Sequence, residues 1–92
     1  MSAVLVHRSR IAYKHGFIEM VVWQLPQPIP ASPHHYKYRL AYIVQGERVV
    51  GYDNERGKGD HKHIGLRQLA YQFTNPEQLI ADFLVDIERV EP

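Results

Sequence analysis

Residues Tyr36 to Val44 alternate in character without a break. Tyr36, Tyr38, Leu40, Tyr42 and Val44 share one parity; Lys37, Arg39, Ala41 and Ile43 share the other. A period of two marks an extended strand with one side against a core. Gln45-Gly46 follows as a tight turn, with Gly supplying a positive φ, and Glu47 to Tyr52 returns as the antiparallel partner. A chain with this hairpin at its centre is committed to a sheet. Its other segments must extend or cover that sheet.

Phe17 to Leu25 is the best further strand. Phe17, Val21, Trp23 and Leu25 lie on one parity and Ile18, Met20 and Val22 on the other, so both faces are largely apolar. That predicts a central strand covered on both sides, with Trp23 in the core. Ala3 to Val6 reads as a short first strand, and Lys14-His15-Gly16 as a turn. Pro26, Pro28, Pro30 and Pro33 stiffen the connector Gln27–His35. Arg67 to Phe73 reads as a last short strand. A helix then follows, with two competing starts: Thr74 and Glu77 at capping-box spacing, or Asn75-Pro76 with Pro in the first turn. Leu79, Ile80, Phe83, Leu84 and Ile87 form its buried stripe, with Asp82, Asp86 and Glu88 outward. The expected fold class is α+β: an antiparallel meander of about four or five strands with a C-terminal helix packed on the sheet. At 92 residues the expectation is a single domain, 1–92, with one modest core.

The absence of cysteine excludes disulfide scaffolds, thiolate zinc sites, iron–sulfur clusters and a cysteine nucleophile. Apolar runs are too short for a membrane helix. The N-terminal apolar stretch meets His7, Arg8 and Arg10 at once, unlike a secretion signal. The expectation is a cytoplasmic protein with no membrane contact.

Asp53 to Gly65 stands apart. It reads Asp-Asn-Glu-Arg-Gly-Lys-Gly-Asp-His-Lys-His-Ile-Gly, nearly devoid of apolar side chains. Ordering such a loop costs backbone entropy that apolar burial does not return, which points to function. Its chemistry suits phosphate. Glycines allow close backbone approach, Arg56 and Lys58 supply positive charge, and His61 and His63 titrate near neutrality. Asp60 is placed to orient a neighbouring imidazole, and Tyr52 sits at the strand end that opens into the loop. If the segment is extended, His61 and His63 point to one side. They can then share a metal with Asp60, and His34 and His35 can join from the proline loop. The spacing matches no structural zinc pattern. Lys37 and Arg39, with Arg48 on the neighbouring strand, form a basic stripe of the kind that follows a nucleic-acid backbone.

The run Tyr52-Asp-Asn-Glu-Arg-Gly-Lys-Gly-Asp-His-Lys-His63 resembles the signature of the TumE-type toxins, small bacterial proteins encoded beside a helix-turn-helix antitoxin. Pro30-Ala-Ser-Pro-His-His-Tyr-Lys-Tyr-Arg-Leu40 and Phe73…Leu79-Ile-Ala-Asp-Phe83 are similar to two further segments of that family. The resemblance covers most of the chain. Its matching positions include His35, Tyr36, Lys37, Tyr38, Arg39, Tyr52, Asp53, Asn54, Glu55, Arg56, Lys58, Asp60, His61 and His63. Lys62 departs from it while keeping the charge. The resemblance implies the toxin of a type II toxin–antitoxin module, neutralised by direct contact with its antitoxin.

The residues themselves suggest a metal-independent ribonuclease that needs no cofactor. His61 and His63 are the acid–base pair, with Tyr52 as a stand-in and Asp60 as orienter. Arg56, Lys58 and Lys37 stabilise the phosphorane. Lys37, Arg39, His35 and Asn54 are the candidate binding residues. The rival readings are a metal-dependent phosphodiesterase using Asp60, His61 and His63, and a non-catalytic module for nucleic acid or protein. The expected partners are RNA and the antitoxin, and a homodimer is left open. The formal net charge of +1 does not argue against RNA. Residues 1–67 hold ten of the eleven Lys and Arg, half of the ten acids and all six histidines, so an acidic C-terminal helix offsets a basic sheet.

Overall fold

The computed structural model describes residues 2–90, with Arg56 described in its backbone alone. Six strands run in chain order through one antiparallel sheet: β1 (Val4–Tyr13), β2 (Gly16–Gln24), β3 (Tyr36–Val44), β4 (Glu47–Asp53), β5 (His61–Ile64) and β6 (Arg67–Ala70). The helix α1 (Pro76–Val90) packs on one face. This is the α+β meander that the alternation predicts, with six strands in place of four or five. Among the described residues no helix is long and apolar enough to cross a membrane.

The additional strand content has two sources. β1 continues past Val6 to Tyr13, through residues too polar to mark a strand by alternation. It is an edge strand, so its charged side chains reach water and also cover apolar rings. Arg10 lies 4.3 Å from the Phe17 ring centroid and Arg8 lies 5.9 Å from that of Trp23. β5 lies inside the polar segment. It pairs with β4 through Val50↔Ile64, Gly51↔His63, Tyr52↔Lys62 and Asp53↔His61. The expected strand Arg67–Phe73 ends at Ala70, and the Tyr71 N–H donates to the Asp60 carbonyl at 3.1 Å.

The core lies between the sheet and α1. It gathers Ile18, Met20 and Val22 from β2, Tyr38, Leu40 and Tyr42 from β3, Val50 and Tyr52 from β4, and Leu79, Phe83 and Ile87 from α1. Only this face is covered. Phe17, Val21 and Trp23 lie on the other side of β2 and are half-buried, so Trp23 stands outside the core and β2 is not sandwiched. The β3–β4 turn is as expected: Gln45 and Gly46 both have positive φ, 52° and 78°, the geometry that matches strand twist in a two-residue hairpin.

α1 starts at the Asn75-Pro76 option. The Asn75 side-chain oxygen accepts from the Gln78 N–H at 2.8 Å. Its buried stripe is Leu79, Phe83, Asp86 and Ile87, and Leu84 is 39% exposed. The expected places of Leu84 and Asp86 are therefore exchanged. Asp86 stands seven residues from Leu79, on the same helical face, whereas Leu84 at five residues is rotated away from it.

Candidate active site

Directly paired residues of an antiparallel sheet point to the same side. The register Arg39↔Asp53↔His61 therefore puts these three side chains in a row on the open face, opposite α1. Ala41↔Gly51↔His63 forms the adjacent row. Gly51 leaves a gap there that the Arg48 side chain fills; a Cβ on Gly51 would lie 2.5 Å from Arg48 Cδ. A 3₁₀ turn, Glu55–Gly57, and the residue after it bring Glu55 and Lys58 over the same spot. Arg39, Arg48, Asp53, Glu55, Lys58, His61 and His63 line a cavity of about 310 Å³.

His61 is buried, and both of its ring nitrogens face oxygens. Nδ1 lies 3.0 Å from the Gly59 carbonyl, which can only accept, so Nδ1 carries a hydrogen. Nε2 lies 3.1 Å from Asp53 Oδ1. His63 stands edge-on to it, with ring centroids 5.0 Å apart at 82°. No hydrogen bond engages the His63 ring among the described residues. Burial, then the charges of Arg48 and His61, hold its pKa below the ordinary 6.5. At neutral pH the ring is uncharged and offers a lone pair to the cavity. Arg48 lies 3.9 Å from Asp53 Oδ2. Arg39 and Lys58 are exposed and have no ion-pair partner among the described residues. The site combines an uncharged imidazole, a second imidazole braced by a carboxylate, three cations and the Glu55 carboxylate around one cavity.

The other expected site residues lie elsewhere. Asp60 points to the helix side, because it precedes His61 and side chains alternate. It accepts from the Tyr38 hydroxyl at 2.9 Å, the Ser32 hydroxyl at 3.2 Å and His34 Nε2 at 2.8 Å. His34 Nδ1 accepts the Tyr36 N–H at 3.1 Å, so Nε2 is the donor, and the ring stacks on Phe73 at 3.9 Å. Asp60 thus ties down the proline loop and orients neither His61 nor His63. Tyr52 is fully buried, and its hydroxyl donates to Asp86, which also takes Lys62 Nζ at 3.0 Å. Burial and that bond raise the Tyr52 pKa well above the ordinary 10, so the phenol keeps its proton and faces away from the cavity. Asn54 is fully buried as well. It accepts the Tyr38 N–H at 3.0 Å and donates to the Tyr36 carbonyl at 2.7 Å, pinning the end of β4 to the start of β3. His35 is exposed, with Nδ1 3.2 Å from the Leu25 carbonyl, and does not line the cavity. Lys37 is on the open face, two residues from Arg39, at 3.6 Å from Glu55. The Arg56 side chain lies outside the described residues.

Among the described residues, those able to hold a metal are Asp53, His61 and His63, whose ligand atoms lie within 4.8 Å of one another. Asp53 takes the place expected of Asp60, and His34 is committed to Asp60 on the other side. Asp53 and Glu55 belong to the polar segment and to the matching family positions, but the sequence assigns neither a role in the site. The seven residues between Asp53 and His61 hide the register that brings the two side chains together. The signal that was available is the alternation itself: Asp60 and His61 cannot share a face once the segment is extended.

A family model described as Toxin TumE matches residues 3–91. No curated protein and no solved structure matches the chain significantly.

Proposed function

The chain belongs to the TumE toxin family, and from that premise we propose that it is a metal-independent endoribonuclease working from the open-face cavity. The observation that carries the proposal is the β4–β5 register, which sets His61, His63 and Asp53 on one face beside Arg39, Arg48 and Lys58. His63, uncharged and with no hydrogen bond to its ring among the described residues, takes the proton of a ribose 2′-hydroxyl. The oxygen attacks the adjacent phosphorus, and the bond to the 5′ oxygen breaks. His61 holds a proton between Nε2 and Asp53 and delivers it to that leaving oxygen. The products are a 2′,3′-cyclic phosphate and a free 5′-hydroxyl. Arg39, Arg48 and Lys58 stabilise the charge that builds on the phosphorane. Lys37 extends the basic stripe along which the backbone lies.

The test is purified protein incubated with labelled RNA, with and without chelator, beside His61→Ala and His63→Ala. Cleavage should survive chelation, and each substitution should slow it by about 10²–10⁴. Full cleavage by both variants would overturn the assignment. One observation favours a second reading, a metal-dependent phosphodiesterase. A histidine that ligates a metal usually gives its other N–H to a carbonyl or carboxylate, as His61 does to Gly59. Three cations outnumber the two carboxylates, Asp53 and Glu55, that line the cavity, and Asp53 is already shared between His61 and Arg48, so the first reading stands ahead. Loss of cleavage on chelation, restored by added metal, would reverse that order.

A toxin family implies an antitoxin partner. We place that partner as a helix-turn-helix protein and the toxin in the cytoplasm, where its RNA is. Growth arrest on expression of the chain, relieved by co-expression of a neighbouring helix-turn-helix reading frame, checks both.

A further inference from the structure

Beside the phosphate cavity, on the same open face, lies a second hollow of about 180 Å³. Val21, Trp23, Lys37, Arg39 and Glu55 line it. It is smaller than the roughly 300–1,000 Å³ of sites for drug-sized ligands, which suits one planar ring system. Arg39 and Glu55 line both hollows, so the two adjoin. Trp23 and Lys37 are cross-strand partners on β2 and β3. Lys37 and Arg39 are two residues apart on β3, about 6.6 Å, within reach of one nucleotide.

These side chains lie outside the core. Trp23 is a large aromatic left half-buried outside the core. The Lys37–Glu55 pair, at 3.6 Å between side chains 43% and 36% exposed, adds little stability. As recognition groups they fit together. A half-buried indole that lines a hollow is a stacking platform for a base. Beside it an ammonium offers donors and a carboxylate offers two acceptors. The Watson–Crick edge of guanine presents O6 as acceptor, then N1–H and N2–H as donors. No other RNA base presents that order. Cytosine and adenine lead with a donor, and uracil ends with an acceptor that would face a carboxylate oxygen.

We propose that Trp23, Lys37 and Glu55 form a guanine subsite, with the base stacked on the indole, Lys37 on O6 and Glu55 on N1–H and N2–H, placing its phosphate at Arg39. The subsite rests on the ribonuclease reading for its purpose but not for its detection. Trp23 is the only tryptophan, so its fluorescence reports occupancy directly.

The experiment titrates the full chain with 3′-GMP, 3′-AMP, 3′-CMP and 3′-UMP, following tryptophan emission. 3′-GMP should quench saturably at a concentration at least about tenfold below the others, the discrimination expected of a good bidentate base contact. Glu55→Gln and, separately, Lys37→Met should remove most of that preference while circular dichroism stays unchanged. Equal quenching by all four nucleotides, or no saturable quenching by 3′-GMP, overturns the subsite. A guanine preference retained in both variants also overturns it. RNA cleavage measured in parallel separates the two proposals. A guanine preference without cleavage keeps the subsite and removes the ribonuclease. Cleavage with no guanine preference does the reverse.

Discussion

The two faces of the sheet carry the same kinds of polar residue and treat them in opposite ways. On the helix side three carboxylates are engaged. Asp60 takes Tyr38, Ser32 and His34; Asp86 takes Tyr52 and Lys62; Asp82 takes Tyr71 at 2.6 Å and Gln78 at 2.8 Å. Burial and these bonds keep the three phenols protonated, with pKa values pushed above the ordinary 10. On the open side His63, Arg39 and Lys58 have no hydrogen bond or ion pair among the described residues, and Asp53 is shared between His61 and a distant Arg48. A buried polar group whose bonds are all made holds a fold together. A group with bonds still to make is available to a ligand. Residue type does not separate the two cases here, since histidine and aspartate occur on both sides.

Substitutions on the two faces should therefore separate rate from stability. The largest effect is expected for His63→Ala: RNA cleavage falls by about 10²–10⁴, while urea denaturation shows a stability change within about 0.5 kcal/mol. Asp86→Ala should do the opposite. It leaves a buried phenol and a mostly buried ammonium without their acceptor, costing about 2–3 kcal/mol in denaturation. Cleavage per folded molecule should hold near the parent value. If Asp86→Ala abolishes cleavage in protein shown to be folded, the division between the faces fails. Asn75→Ala removes the helix cap and should cost about 1 kcal/mol, again with cleavage unchanged. The smallest effect sharpens the open side. His63 has a depressed pKa, so its base form persists below pH 6.5 and cleavage should fall only as acid protonates it there. Arg48→Met removes one of the charges that depress it, so the acid limb of the pH–rate profile should move up toward 6.5. An unmoved limb would show that another group sets it.

The same contrast explains what the sequence disclosed. The β3–β4 hairpin was legible because an apolar–polar alternation and a two-residue turn mark its two strands, but its register was not: a bulge beyond Ile43↔Arg48 shifts the pairing by one residue and brings Arg39 opposite Asp53. The face bearing His61 and His63 was half legible: a histidine pair two apart shares a side in any strand, as found. Its carboxylate was not. Asp60 is the nearest acid in sequence, yet alternation sends it through the sheet. Asp53 arrives by backbone pairing across a loop with no pattern to count along. Trp23 departs from expectation for a related reason. Apolar residues on both parities of β2 suggested two covered faces, but arginine stems from β1 cover the second one only in part.

The order of the strands also has a kinetic meaning. Each strand pairs with the one made just before it, so closing each hairpin restrains a short piece of chain and the sheet can grow in the direction of synthesis. Every residue lining the open-face cavity lies between Arg39 and His63, whereas the helix that covers the core begins at Pro76. On a ribosome, the parts of the site are therefore all present before the chain can bury its hydrophobic face. During that interval the nascent protein exposes apolar surface that only its last fifteen described residues can cover.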